Sequence, residues 1–138
     1  MSWQAWALLS ALFAGMTAVL AKVGVRDIDS NLATAIRTTV ILVIAWGIAL
    51  LRGTGSFAAI TGKTWLFLVL SGIATGASWL CYFRALQLAD ASKVAPLDKL
   101  SVVVAIALAA LFLGESLSWK HWVGGSLIVA GAWLVSRA

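Results

Sequence analysis

Apolar residues fall into five long runs separated by short polar stretches. The first runs from Trp3 to Val23, with Ser2 as a candidate N-cap and Gly24 as its stop. After the polar segment Arg26-Asp27-Ile28-Asp29-Ser30-Asn31, a second run covers Leu32 to Leu51, capped by Asp29 or Ser30 and ended by Arg52-Gly53. A loop of Gly, Ser and Thr character, Gly53 to Lys63, leads to a third run from Thr64 to Leu86. Asp90 and Ser92 offer caps for a fourth, Lys93 to Leu113, which stops at Gly114, and Ser118 for a fifth, Trp119 to Val135. A polar cap before an apolar run and a glycine after it are the ordinary marks of helix ends. About 20 mostly apolar residues are what a helix needs to cross the hydrocarbon of a bilayer. The pattern predicts five transmembrane helices at 3–23, 32–51, 64–86, 93–113 and 119–135, with no room left for a soluble domain.

Composition agrees. Of 138 residues, 62% are hydrophobic and 11% charged, and the mean hydropathy is +1.02. A soluble domain is nearer 45–50% apolar and about 25% charged, and a short chain buries only part of its surface. The bilayer is therefore the expected solvent, and the fold class is an all-α integral membrane bundle. A cleaved leader is not expected, because Met1-Ser2-Trp3-Gln4 carries no Lys or Arg and the apolar run exceeds an h-region. One cysteine, Cys81, excludes an intrachain disulfide, and one histidine, His121, argues against a metal cluster. Cys81 lies in an apolar run and is expected to pack. His121 falls in the first turn of the fifth span and reads as interfacial, with a pH-sensitive role as the alternative.

Five crossings place the termini on opposite sides. Trp3, Trp6, Trp46, Trp65, Trp119 and Trp122 then gather near the N-terminal side, and Trp79 and Trp133 toward the other. Tryptophan prefers the headgroup level, so this clustering supports the spans independently. The basic residues orient the chain only weakly. Arg52, Lys63 and Lys120 lie on the N-terminal side, against Lys22, Arg26, Arg84, Lys93 and Arg137 opposite, with Arg37 and Lys99 deeper. A weak bias is what insertion in both orientations requires.

Ionisable residues at helix centres cost about 2.5–3.5 kcal/mol on insertion scales. Lys22, Arg37, Arg84, Lys93, Asp98 and Lys99 nevertheless converge on one half of the membrane by this topology. Arg37, Asp98 and Lys99 fall roughly 8–10 Å below their helix starts. For Lys22, Arg84 and Lys93, near helix ends, snorkelling to the headgroups is the favoured reading. For Arg37, Asp98 and Lys99 an interior polar site is favoured. Asp98 is expected to pair with Arg37, Lys99 or Lys22, and a purely structural ion pair competes with that site. Pro96 has no N–H for the Ser92 carbonyl. It either kinks a helix already running at Ser92, freeing a carbonyl beside Asp98 and Lys99, or opens a helix that begins there.

Small residues suggest where helices meet. Ser10, Ala14 and Ala18 recur at intervals of four, Gly72 to Gly76 form a GxxxG, and the fifth span carries Gly124, Gly125, Ser126 and Ala130. Such residues let helices approach closely in lipid. The fifth span, nearly free of interior charge, is the candidate contact between protomers, with packing inside the protomer as the alternative. No nucleotide-binding glycine loop, HExxH or GxSxG occurs. A net charge of +5 spread over helix ends does not suggest a nucleic-acid partner. No enzyme site, metal site or cofactor is expected.

The run Ala95-Pro96-Leu97-Asp98-Lys99-Leu100-Ser101-Val102-Val103, followed by Leu111-Phe112-Leu113-Gly114-Glu115 and Leu117-Ser118-Trp119, resembles the fourth and fifth helices of EamA-type members of the drug/metabolite transporter superfamily. Ala35-Ile36-Arg37-Thr38 and Tyr82-Phe83-Arg84-Ala85-Leu86 are similar to that family's second and third helices. The resemblance implies a carrier built from one five-helix repeat, where larger members join two in inverted topology. It implies pairing with a second copy or a related membrane protein, and inverted pairing requires protomers of opposite orientation. The related small multidrug resistance proteins use a carboxylate in their first helix to exchange protons for cationic drugs. Trp3 to Val23 has none.

The expected function is a secondary transporter of a small anionic or zwitterionic metabolite in a bacterial inner membrane, working by alternating access as an antiparallel homodimer. Arg37 and Lys99 would attract substrate, with Lys22 and Arg84 as further candidates, and Asp98 would balance charge or take up a coupling proton. Two rivals stand beside it: a non-transporting membrane subunit that stabilises or regulates a partner, and a flippase for a lipid-linked phosphate.

Overall fold

The computed structural model describes residues 2–53, 57 and 60–137. Its elements are six helices: α1 (Trp3–Gly24), α2 (Ser30–Leu51), α3 (Gly62–Leu88), α4 (Ala91–Asp98), α5 (Ser101–Leu113) and α6 (Trp119–Ser136). No strand occurs among the described residues. The loop expected between Gly53 and Lys63 lies partly outside the described residues, at 54–56 and 58–59.

Each helix end has a local cause. The Asp29 carboxylate caps α2, its Oδ1 accepting from the N–H groups of Asn31 at 2.8 Å and Leu32 at 3.2 Å. Such a cap satisfies amides that a helix start leaves without partners. α3 starts two residues ahead of the expected position, because the Thr61 hydroxyl accepts from the Thr64 N–H at 3.2 Å. At about 1.5 Å per residue its 27 residues span roughly 40 Å, more than the hydrocarbon core alone. Gly53 and Gly114 end α2 and α5 with φ of +59° and +68°. That left-handed region is easy only for glycine. The Gly114 N–H donates to the Ala109 carbonyl, the six-to-one bond that closes a helix C-terminus, and the Glu115 N–H reaches the same carbonyl at 3.3 Å. At α6 the Ser118 N–H donates to His121 Nδ1 at 3.0 Å and the Ser118 hydroxyl lies 2.9 Å from the same nitrogen. His121 thus completes a capping box in the place usually taken by Glu or Gln.

Among the described residues four segments are long and apolar enough to cross a bilayer: Trp3–Gly24, Ser30–Leu51, Gly62–Leu88 and Ala91–Leu113. α6 is apolar over most of its length, but its opening Trp119-Lys120-His121-Trp122 weakens it. The expected fourth span differs from a simple rod: it is two helices, with a turn at Lys99 and Leu100.

The chain divides into two compact units. One comprises Met1–Val23 with Leu88–Ala138, the other Gly24–Gln87. In the first, α6 packs on both α4 and α5. A Cβ added at Gly125 would meet Val103 at 3.9 Å, and Val94, Gly125 and Ala132 are buried. In the second, Val25 and Leu86 are fully enclosed, and Ser30, Ala33, Thr34 and Phe83 are buried with them. Gln87 ties this unit's 25–28 loop to α3. Its amide donates to the carbonyls of Val25 at 3.3 Å and Ile28 at 2.7 Å. Large apolar side chains such as Leu12, Leu42, Phe67 and Leu111 remain exposed along the helices, the surface that lipid solvates.

Candidate functional site

α2 begins with a polar stripe. Ser30, Thr34, Arg37 and Thr38 recur at helical spacing on one face. The hydroxyls bond to their own helix: Thr34 to the Ser30 carbonyl at 2.8 Å, Thr38 to Thr34 at 2.7 Å, and Thr39 to Ala35 at 3.0 Å. Those bonds satisfy the hydroxyl protons in an apolar setting and leave the oxygens as acceptors. Arg37 has no such internal partner. Its guanidinium carbon lies 4.3 Å from the Trp79 ring centroid and 5.4 Å from that of Phe83. Trp79 and Phe83 are four residues apart on α3, so their rings project from one face.

Arg37 is the sole charged residue of α2, and α3 carries Lys63 and Arg84 but no carboxylate. Among the described residues the one carboxylate ion pair is Asp98 with Lys99. Arg37 is therefore held by aromatic faces rather than by an acid. Each cation–π contact contributes about 0.5–2 kcal/mol depending on desolvation. Among the described residues its N–H donors make no hydrogen bond, which leaves them for a ligand or counter-ion.

The second cluster belongs to the other unit. Asp98 ends α4, and its Oδ2 lies 3.4 Å from Lys99 Nζ, with the side chains 36% and 55% exposed. Of the three partners expected for Asp98, the one observed is Lys99. An exposed pair of this kind is worth about 0–1 kcal/mol in water, so it does not lock the turn. The helix already runs at Ser92, with Asp90 at the N-cap position and Pro96 inside it, so the helix does not begin at Pro96. Pro96 offers no N–H to the Ser92 carbonyl. Beyond it the bonds tighten to a three-residue reach: Lys99 N–H to Pro96 at 3.1 Å, Leu100 to Leu97 at 3.0 Å, Val102 to Lys99 at 3.0 Å. Non-helical backbone at membrane depth is tolerated where protein or a water-filled cavity surrounds it.

The other candidates have separate partners. Lys22 Nζ donates to the Ala89 carbonyl at 2.8 Å, and Arg84 Nη1 donates to Gln87 Oε1 at 2.9 Å. Both serve connections at helix ends. On α6, Gly125 is buried against Val103, while Ser126 and Ala130 are exposed and Gly124 is half-buried. Ser126 and Ala130 line a groove of about 610 Å³ with Val103, Trp122, Gly125 and Trp133. Sequence reasoning took Trp79 for a headgroup anchor and gave Phe83 no role in a site. The available signal was an aromatic pair at i, i+4 in a helix without any acid to match Arg37.

Helices of this length and apolarity define a polytopic membrane protein. The chain belongs to the EamA-like transporter family, whose profile matches residues 1–137. It is 59% identical over 139 residues to a Sinorhizobium sp protein named "Uncharacterized transporter in cobO 3'region", covering 98% of this chain and 96% of that protein. It is 29% identical over 130 residues to a "Riboflavin transporter" of Rhizobium johnstonii, covering 94% of this chain and 42% of that longer protein. No solved structure matches it. The protein is an integral membrane transporter.

Proposed function

We propose that the chain is a secondary transporter of a small anionic or zwitterionic metabolite in a bacterial inner membrane. In this reading it crosses five times, α4 and α5 forming one broken crossing, and works by alternating access as an antiparallel homodimer. It carries no cofactor and catalyses no covalent chemistry. The observation that carries the reading is the interruption at Lys99–Leu100 beside Pro96, Asp98 and Lys99. Discontinuous helices with exposed backbone and charge are how inverted-repeat carriers build a midplane site. Asp98 is an acid at the break, able to balance substrate charge or accept a proton, and Lys99 supplies a cation. Lys22 and Arg84 stay in the proposal as further candidate cations. Ser126 and Ala130, exposed in the α5–α6 groove, support a second copy as the partner, with half-buried Gly124 beside them, while Gly125 packs on Val103 within the protomer. A longer relative of which this chain matches 42% suits a pathway that needs two repeats.

The test is counterflow in proteoliposomes, with labelled carboxylates, amino acids and riboflavin as substrates. Asp98→Asn and Arg37→Ala should each reduce flux at least about tenfold at equal protein abundance, as loss of a charged contact implies. Unchanged flux in both would remove the proposed site. Uptake of riboflavin, which is uncharged at neutral pH, in preference to every anion would move the substrate class. C-terminal reporters active on opposite sides of the membrane should both give signal, whereas signal from one side alone would end the antiparallel homodimer.

A further inference from the structure

Within Gly24–Gln87, Arg37 is the one charge set away from helix ends among the described residues: Lys63 is the second residue of α3, Arg84 is bonded to Gln87 near its end, and neither α2 nor α3 has an acid. The rings of Trp79 and Phe83 lie at 4.3 and 5.4 Å from the guanidinium carbon. Ring contacts hold the guanidinium without a carboxylate, and among the described residues its N–H groups, a planar fork matched to two coplanar oxygens, make no hydrogen bond. A single cation in lipid neutralises a single negative charge, and a dianion placed there would retain an uncompensated one.

We infer that Arg37, clamped by Trp79 and Phe83, is the anchor for a monocarboxylate group of the transported molecule. This rests on the transport reading above, and it adds the charge state, the recognised group and two positioning residues. Trp79 and Phe83 act through Arg37: they hold the fork in place while no substrate is bound. Thr38, whose hydroxyl proton is committed to the Thr34 carbonyl, is an acceptor one residue from Arg37 and suits a donor on the substrate, such as the ammonium of an amino acid.

Binding can be read without transport. The full chain in lipid nanodiscs is titrated with benzoate, with benzamide as its neutral isostere and sulfate as a dianion, following tryptophan emission. Because the chain has eight tryptophans, Trp79→Phe identifies the share of the signal that comes from Trp79. Benzoate should give a saturable change that Trp79→Phe removes, and benzamide and sulfate should bind at least about tenfold more weakly. Arg37→Gln should abolish the benzoate response. Arg37→Lys, which keeps the charge but loses fork and stack, should weaken it about tenfold or more. The comparison of benzoate with benzamide uses the native chain, so it stands even where a variant fails to fold. The proposal is overturned by no saturable benzoate response, by equal binding of benzamide or sulfate, or by a response that survives Arg37→Gln or Trp79→Phe. Binding as described with no flux in proteoliposomes would instead defeat the transport reading while leaving the carboxylate site in place.

Discussion

Replacing Arg37 with leucine separates a substrate anchor from a structural ion pair. A charge at a helix centre costs about 2.5–3.5 kcal/mol on insertion scales, and less toward the interface. Arg37 is seven residues beyond Ser30, roughly 10 Å along the helix, so leucine regains somewhat less than that. Against this, the variant loses two cation–π contacts, each about 0.5–2 kcal/mol, at rings 4.3 and 5.4 Å away. Leucine can pack on the same faces of Trp79 and Phe83. The terms nearly cancel, and Arg37→Leu is expected to lie within about 1 kcal/mol of wild-type stability. Breaking a buried ion pair would instead cost about 3–5 kcal/mol, because the abandoned acid stays buried. Reversible unfolding in mixed micelles, titrated with SDS, measures the difference, and counterflow on the same preparation measures function. Near-neutral stability with lost flux supports the anchor. A loss of 3 kcal/mol or more would show a hidden acidic partner and refute the reasoning.

Other substitutions test the frame around the site. Pro96→Ala restores an N–H within reach of the Ser92 carbonyl; amide exchange around residues 96–100 should slow, and flux should fall if the break is used in transport. Asp29→Ala removes two capping bonds and should destabilise by about 1 kcal/mol, read by the same SDS titration. Gln87→Ala leaves the Val25 and Ile28 carbonyls without their donor and should cost about 1–3 kcal/mol; protease cleavage near 25–29 should increase. Gly114→Ala meets no neighbour within 4 Å but forces φ near +68°, so the expected loss of about 1–2 kcal/mol is backbone strain alone.

Helix positions and ends were legible in the sequence because their causes are local. Backbone bonds reach four residues, and the caps at Asp29 and Ser118 and the stops at Gly53 and Gly114 act within one turn, whereas the Thr61 cap that starts α3 early was not read. The location of charge was equally legible, since an apolar run makes Arg37, Asp98 and Lys99 conspicuous. Whether Pro96 kinked or began a helix was not, because proline suits either position. The answer lay in the helix starting at Ala91, which leaves Pro96 in the helix interior.

The sequence by itself determined that this chain must live in a bilayer, which segments are helical, and that a cation lies within α2. Tertiary structure decided the partners. Arg37 and Trp79 are 42 positions apart, and Lys22 reaches Ala89 across 67. Nothing local encodes such pairings. In water, a one-sided apolar stripe would announce the inward face of each helix. In lipid nearly every face is apolar, so rotation about the helix axis is set by close packing and a few polar bonds. That is why Trp79 and Phe83, ordinary aromatics in sequence, become the clamp on Arg37 only once α2 and α3 are brought together.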